Sequence, residues 1–161
     1  MNIRVGHGLD IHRLKPDIPL ILGGVEISSK FGCEGHSDGD AVIHALVDAI
    51  LGALSLGDIG TFFPSCDADL KNADSKIFLK FAYQKLKEKK YQINNIDINI
   101  ILESPKINKY VELMKIQLAS ILDINPSLIS IKGKTSDGLG YIGSKNGIMT
   151  TATIIIENYE C

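Results

Sequence analysis

Hydrophobic residues recur along this chain with two periods, and the changes of period mark its elements. Ile3 to His12 alternates, with Ile3, Val5, Leu9 and Ile11 set between polar residues and glycines, and predicts a β-strand. Leu20–Leu22 and Val25–Ile27 flank Gly23-Gly24 and predict a hairpin closed by a two-residue turn. Ala41 to Leu56 is apolar on almost every face and predicts a mostly buried helix, with Gly57 as its stop. Ser37, three residues before Asp40, resembles a capping box at its start. Asp74 to Lys90 sets Ile77, Phe78, Phe81, Ala82 and Leu86 on one stripe with lysines opposite, a second helix. Asn95 to Leu102 alternates through Ile96, Ile98 and Ile100 as a strand, and Lys106 to Leu122 predicts a third helix. Leu128 to Lys134 and Gly147 to Glu157 close the chain as strands around a polar, glycine-rich loop.

Strands joined through helices, with no internal repeat and no Pro/Ser-rich linker, predict an α+β fold and a single domain over residues 1–161. The expected architecture is a two-layer, ferredoxin-like sandwich, with helices packed on one face of a mixed β-sheet. An apolar share of 45% with 22% charged residues is that of a globular chain rather than a disordered one. Seventeen basic against nineteen acidic residues leave a net charge of −2, which argues against a general nucleic-acid surface. The most apolar segment, Ala41 to Leu56, carries His44 and Asp48 inside it and falls short of the ~18 residues of a membrane span. No basic-then-apolar leader opens the chain, and Cys33, Cys66 and Cys161 form no C-x-x-C pair. Cytoplasmic localisation, with no membrane partner, is the expectation.

Candidate chemistry concentrates near the start. All four histidines, His7, His12, His36 and His44, fall in the first 44 residues. Asp10 and His12 lie two apart in an extended segment and share a face; a carboxylate and an imidazole suit Zn²⁺, or more loosely Mn²⁺ or Co²⁺. Such a pair is also a common coincidence. His44 and Asp48 share a helix face at i and i+4, and a histidine there also serves as a core residue bonded to a neighbour. Joined at one ion, Asp10, His12 and His44 would leave a fourth tetrahedral position open, as catalytic zinc sites do. His36-Ser37-Asp38-Gly39-Asp40 stands at a helix start, where backbone N–H groups can meet a phosphate, or where Ser37 is simply a cap. Lys132-Gly133-Lys134-Thr135-Ser136-Asp137-Gly138 runs from strand into loop. It reads either as a solvated turn or as a diphosphate cradle with Asp137 near a second cation; it lacks Walker A spacing. Neither G-x-S-x-G nor an activated cysteine points to a protein nucleophile.

Taken together these motifs resemble one family along the whole chain, the 2-C-methyl-D-erythritol 2,4-cyclodiphosphate synthases of the non-mevalonate isoprenoid route. The resemblance rests on Gly6-His7-Gly8-Leu9-Asp10-Ile11-His12, His36-Ser37-Asp38-Gly39-Asp40, His44-Ala45-Leu46, Leu56-Gly57-Asp58-Ile59-Gly60, Phe63-Pro64, Ser104-Pro105-Lys106, Lys132-Gly133-Lys134-Thr135 and Leu139-Gly140. It implies a phosphorus–oxygen lyase that converts 4-diphosphocytidyl-2-C-methyl-D-erythritol 2-phosphate into the cyclic diphosphate and CMP. It implies zinc on Asp10, His12 and His44, with Mg²⁺ or Mn²⁺ on the substrate diphosphate. His36 and Thr135 correspond to the family's transition-state stabilisers. Ser37, Asp58, Ile59, Gly60, Phe63, Pro64, Ser65, Cys66 and Asp67 correspond to its methylerythritol and ribose positions. Leu102, Glu103, Ser104, Pro105, Lys106, Ile107 and Asn108 correspond to its cytidine pocket, and Lys134, Ser136, Asp137, Tyr141 and Ser144 to further substrate contacts.

The same resemblance implies a homotrimer whose active sites are shared between subunits. Three positions depart from the family pattern. Asp137 stands for a usual glutamate, Lys134 for a frequent threonine, and Ser144 for an arginine associated with an anion site in the trimer cavity. A zinc-dependent nucleotide-diphosphate phosphohydrolase is the rival enzyme, and a nucleotide-binding assembly module with a structural metal the rival of another class.

Overall fold

The computed structural model describes residues 2–64 and 66–159. In chain order its elements are β1 (Ile3–Pro16), β2 (Leu20–Leu22), β3 (Val25–Ile27), β4 (Phe31–Glu34), α1 (Ala41–Ala53), α2 (Ile59–Phe62), α3 (Lys76–Glu88), β5 (Tyr91–Ile101), α4 (Val111–Leu122), β6 (Ile129–Lys134), α5 (Gly140–Gly143) and β7 (Gly147–Asn158). Every helix and strand that the periodicity predicts is present. The three it does not predict, β4, α2 and α5, are four residues each, too short to show a period.

Each shifted boundary has a local cause. α1 is capped by Asp40, not Ser37: Asp40 Oδ1 accepts from the N–H groups of Val42 (3.1 Å) and Ile43 (3.0 Å). The same oxygen accepts from Gly23 N–H (2.9 Å) and Oδ2 from Gly24 N–H (2.6 Å), which ties the β2–β3 hairpin to the helix start. Gly23 and Gly24 have φ of 59° and 73°, the left-handed pair that a two-residue hairpin turn requires. Ser55, at φ 57°, turns the chain out of α1 before Gly57 is reached. β5 starts four residues before Asn95 because a bulge at Asn94 changes the alternation, so that Tyr91 and Ile93 face the same core as Ile96, Ile98 and Ile100. Asn108–Tyr110 form a 3-10 turn ahead of α4, in the stretch expected to be helical from Lys106.

Five strands form one mixed sheet in the order β4-β1-β7-β5-β6, antiparallel except for the parallel β5–β6 pair that α4 connects. α1 packs on β1 and β7, α3 on α1, and α4 on α3 and β6. The α+β architecture with helices against a mixed sheet therefore holds. The ferredoxin-like part does not. That motif runs β-α-β-β-α-β, whereas the main elements here run β-α-β-α-β-β, because both crossovers precede the last two strands, which do not pair with each other: β7 lies between β1 and β5. The buried layer consists of Ile148, Ala152, Ile154 and Ile156 of β7, the β5 isoleucines, Ile129 and Ile131 of β6, and nearly all of α1. Each fully buried Leu or Ile contributes on the order of 1.5–3 kcal/mol.

β1 is arranged the other way round. Its apolar residues, Ile3, Val5, Leu9 and Ile11, lie on the outer face and are 50, 63, 48 and 50% exposed. Its inward positions are Gly6, Gly8, Asp10 and His12. A Cβ at Gly6 would lie 1.8 Å from Ala49 O, and one at Gly8 2.0 Å from Ala45 O. Without side chains there, α1 lies directly on the strand, and this contact brings His44 down to Asp10 and His12.

Candidate active site

At the open end of the β1–α1 contact, Asp10 Oδ2 is 2.8 Å from His12 Nδ1 and 3.3 Å from His44 Nδ1. The three side chains are 22, 12 and 12% exposed. Despite these separations, Asp10 Oδ2 and His12 Nδ1 are buried without a hydrogen bond of acceptable geometry, as is the Oγ1 of Thr150, the residue paired with Asp10 across β7. Two of the three clustered donor atoms thus have no hydrogen-bond partner within the protein, and all three lie within 4.8 Å of one another. Ligands at 2.0–2.1 Å in a tetrahedron stand about 3.3 Å apart, so this donor set fits a metal of the zinc type. It is the one such group of three or more His, Cys, Asp or Glu side chains among the described residues. Burial alone would push the Asp10 carboxyl up, but the His12 and His44 imidazoles outweigh it and hold it at about 2. Burial pushes His44 down; Asp10, Asp40 and Asp38 together push it up further, so the ring is well placed among anions.

The far ring nitrogen of His44 is also held. His44 Nε2 lies 3.0 Å from Ser75 Oγ and 3.2 Å from Ser37 Oγ, and Ser75 Oγ donates to Asp38 Oδ1. Asp48, one turn further along α1, does not join the three ligands. Its Oδ1 accepts from Ile59 N–H at 2.7 Å and so anchors the start of α2. Asp58 caps that turn, accepting from the Thr61 N–H at 2.9 Å.

Next to His44 opens a cavity of about 250 Å³ lined by His36, Ser37, His44, Ile59, Gly60, Phe63, Leu70 and Phe78. Phe63 rests on Phe78 and Phe81, with ring centroids 4.6 and 5.0 Å away. His36 Nε2–H donates to the carbonyl of Asp67 at 2.6 Å and ties down the loop after Pro64. Asp67 turns its side chain to Asp69 N–H at 3.0 Å. Ser65 lies outside the described residues.

Cys66 is exposed in that same loop. The other free thiol among the described residues, Cys33, is buried, and burial pushes it up to about 12, with Asp40, Asp10 and Asp38 adding to the effect. Native protein treated with a maleimide is expected to label at Cys66 and to leave Cys33 unlabelled until denaturation, as read by peptide mass mapping.

A second cavity, of about 240 Å³, is lined by Ile100, Leu102, Glu103, Pro105, Lys106, Ile107, Asn108, Gly133, Lys134 and Thr135. The 102–108 stretch and the Lys134-Thr135 loop thus line one cavity. Glu103 Oε2 accepts from Ser136 N–H (3.2 Å), joining the two walls, while the Ser136 hydroxyl donates to Leu139 O (2.8 Å). Ser104 faces a neighbouring hollow with Lys30 and Lys145. Asp137 is exposed at φ 56°, Tyr141 is 47% exposed, and Ser144 Oγ donates back to Gly140 O (3.1 Å) and Tyr141 O (3.2 Å). The two cavities share no lining residue, so within one chain Thr135 and His36 belong to different pockets. Sequence reasoning missed Ser75 and named Asp38 and Asp48 only as part of the helix-start motif and as a helix-face neighbour of His44, not in the supporting roles they hold. The signal for Ser75 was its place at the start of α3, which periodicity alone assigned to Asp74.

Comparison with known proteins agrees with this geometry. The family model described as the YgbB family matches residues 3–157. The protein of Francisella tularensis subsp. novicida named 2-C-methyl-D-erythritol 2,4-cyclodiphosphate synthase is 50% identical over 157 residues, covering 97% of this chain and 99% of its own length. The one of the same name from Natranaerobius thermophilus is 46% identical over 155 residues, covering 96 and 98%. Among solved structures, IspF of Plasmodium falciparum in a CDP complex superposes with a TM-score of 0.87 at 41% identity, over 98% of this chain and 97% of that one. The bifunctional IspDF of Campylobacter jejuni gives 0.95 at 39% identity over 98% of this chain, which spans 43% of that longer protein. A match this long, shared with relatives covered almost end to end, settles the kinship: the chain belongs to the YgbB family, the 2-C-methyl-D-erythritol 2,4-cyclodiphosphate synthases.

Proposed function

We propose that this chain, acting as one catalytic domain over residues 1–161, cyclises 4-diphosphocytidyl-2-C-methyl-D-erythritol 2-phosphate. An oxygen of the 2-phosphate attacks the β-phosphorus; the bond from that phosphorus to the bridging oxygen breaks; CMP leaves with the bridging oxygen and its electron pair. No water is consumed and no protein nucleophile is needed, in keeping with a site that offers none. The observation that carries the reading is the meeting of Asp10, His12 and His44 beside the cavity that His36 and Ser37 line.

Asp10, His12 and His44 would hold zinc, or another divalent transition metal; when bound, such an ion supplies Lewis-acid polarisation of a phosphoryl oxygen. The protein's own part is to fold a polyanion and to place donors. His36, with Nε2–H committed to Asp67, presents its other ring nitrogen to the cavity in which a transferring oxygen would lie. Ser37 supplies a hydroxyl on the same wall. Ile59, Gly60 and Phe63 enclose the methylerythritol carbons, with Asp58, Pro64, Cys66 and Asp67 around them. Leu102 to Asn108 receive the cytidine, and Lys134, Thr135 and Ser136 hold its diphosphate; Asp137 would hold a Mg²⁺ or Mn²⁺, which would neutralise charge on the leaving CMP. The CDP complex of the Plasmodium falciparum relative supports a nucleotide ligand. Tyr141 and Ser144 border the loop; Ser144, its hydroxyl turned to its own backbone, offers an anion no cation there.

The working unit in this reading is a homotrimer that shares its sites. Two features support it: the exposed stripe of Ile3, Val5, Leu9 and Ile11, and the division of the site into two cavities without a common residue. Joining the His36 cavity of one subunit to the Thr135 cavity of the next completes the constellation. Burying one such aliphatic side chain contributes about 1.5–3 kcal/mol. The Val5→Asp/Leu9→Asp double variant is therefore expected to sediment as an inactive monomer. A trimer of normal activity would count against this interface. We place the enzyme in the cytoplasm, where free thiols such as Cys33 and Cys66 persist; no helix of the described residues is long and apolar enough to cross a membrane.

The function is tested by giving purified protein the cytidylated substrate in H₂¹⁸O and weighing the products. CMP plus a cyclic diphosphate, both free of ¹⁸O, is the expected result. CMP with a linear bisphosphate, one of the two carrying ¹⁸O from water, would identify a phosphohydrolase instead.

A further inference from the structure

The hydrogen bonds behind His44 form a directed chain. Ser75 is fully buried at the N-cap of α3, yet its hydroxyl makes no capping bond. It donates instead to Asp38 Oδ1. Asp38 also accepts the N–H of Ser75 on Oδ2 (3.0 Å) and the N–H of Asp40 on Oδ1 (3.2 Å), so both its oxygens act as acceptors. A hydroxyl carries one proton. With that proton on Asp38, the Ser75 oxygen turns a lone pair to His44 Nε2 at 3.0 Å, and Nε2 must be the ring nitrogen that carries hydrogen. Nδ1 is then left bare, 3.3 Å from Asp10 Oδ2, where a ligand lone pair is required. Ser37, 3.2 Å from the same nitrogen, receives no such direction from a carboxylate, and its hydroxyl remains available to substrate.

We propose that Asp38 and Ser75 are positioning residues that fix the tautomer and orientation of His44 so that Nδ1 faces the metal. This rests on the metal reading above and adds to it two residues with no contact to substrate. Asp38→Asn tests it because the amide must place its NH₂ against one of two backbone N–H groups. The longer of the two contacts, to Asp40, yields more easily, and that orientation sets the NH₂ against Ser75 Oγ. The hydroxyl then reverses and donates to His44 Nε2, which moves the ring proton to Nδ1 and blocks ligation.

The measurement is Zn²⁺ affinity of the metal-free protein by competition with a chromophoric chelator, with circular dichroism as the fold control. Asp38→Asn and Ser75→Ala are expected to lose about 10–100-fold in affinity, the usual cost of removing a ligand's hydrogen-bond partner. Ser37→Ala is expected to stay within about threefold of the unaltered protein. Equal affinity in Asp38→Asn, or a loss in Ser37→Ala as large as in Ser75→Ala, would overturn the proposal. Should the first two variants not fold, the ¹⁵N-histidine spectrum of the zinc-loaded natural sequence decides. Metal on Nδ1 with hydrogen on Nε2 supports the relay, and metal on Nε2 overturns it. Failure of the natural sequence to bind zinc at all would instead remove the metal reading.

Discussion

Gly8→Val is expected to lower the thermal midpoint by about 6–12 °C and to abolish metal binding together with it. A Cβ at Gly8 would meet Ala45 O at 2.0 Å, Ala49 N at 2.8 Å and Asp48 Cβ at 2.9 Å. Two of these are backbone atoms inside α1, so no rotamer change relieves the overlap; the helix must lift from β1. Overpacking of this kind costs about 3 kcal/mol or more, and at this chain length each kcal/mol moves the midpoint by about 2–4 °C. Lifting α1 also carries His44 away from Asp10 and His12, and for that reason metal affinity should fall with stability. Gly52 is the control. It lies exposed on the same helix with nothing within 4 Å of an added Cβ, and Gly52→Ala should be neutral or stabilise by about 0.5–1 kcal/mol. Circular dichroism melts with and without zinc check both. A Gly8→Val protein as stable as the natural one would disprove the direct strand–helix contact.

His44→Ala should leave a folded protein with at least about a thousandfold less cyclising activity. The helix around it is anchored independently of the imidazole, since ten of its thirteen residues are buried and Asp40 caps it. Removing one of three protein ligands, by contrast, removes the ion whose polarising effect is on the order of several kcal/mol, and about 4 kcal/mol corresponds to that loss of rate. Steady-state rates with excess zinc, alongside circular dichroism and sedimentation, separate the outcomes. A structural metal predicts an unfolded variant, and a catalytic one a folded, inactive assembly. CMP release at an undiminished rate from the folded variant would falsify the catalytic role.

How much of this was legible in the residues depends on whether the determinants are local. The long helices and strands were, because burial imposes a period on α1, α3, β5 and β7 that survives in the order of residues. The Asp10/His12 pair was legible for the same reason, as two positions on one face of a strand. What periodicity misreads is β1. Its apolar alternation is that of a strand with a core face, yet Ile3, Val5, Leu9 and Ile11 point outward, and the inner face is held by glycines whose value lies in having no side chain. Nor could spacing show that Asp40 rather than Ser37 caps α1, because the decisive donors, Gly23 and Gly24, come from a hairpin earlier in the chain. Ser75 reaches His44 across 31 residues, and Asp38 reaches Ser75 across 37; no sequence window joins them. The ferredoxin-like expectation failed on the order of the elements along the chain, both crossovers coming before β6 and β7; that β7 then pairs between β1 and β5 is a matter of long-range pairing that no sequence window holds.

The account turns on one metal ion held between β1 and α1. Its most direct test is to strip the purified protein with a chelator, restore Zn²⁺ in fractions of an equivalent, and follow cyclic diphosphate formation. Activity that is absent without metal, rises in proportion, and levels off at one equivalent per chain is the predicted result. Full cyclising activity in the stripped protein, with no response to added zinc, would contradict it.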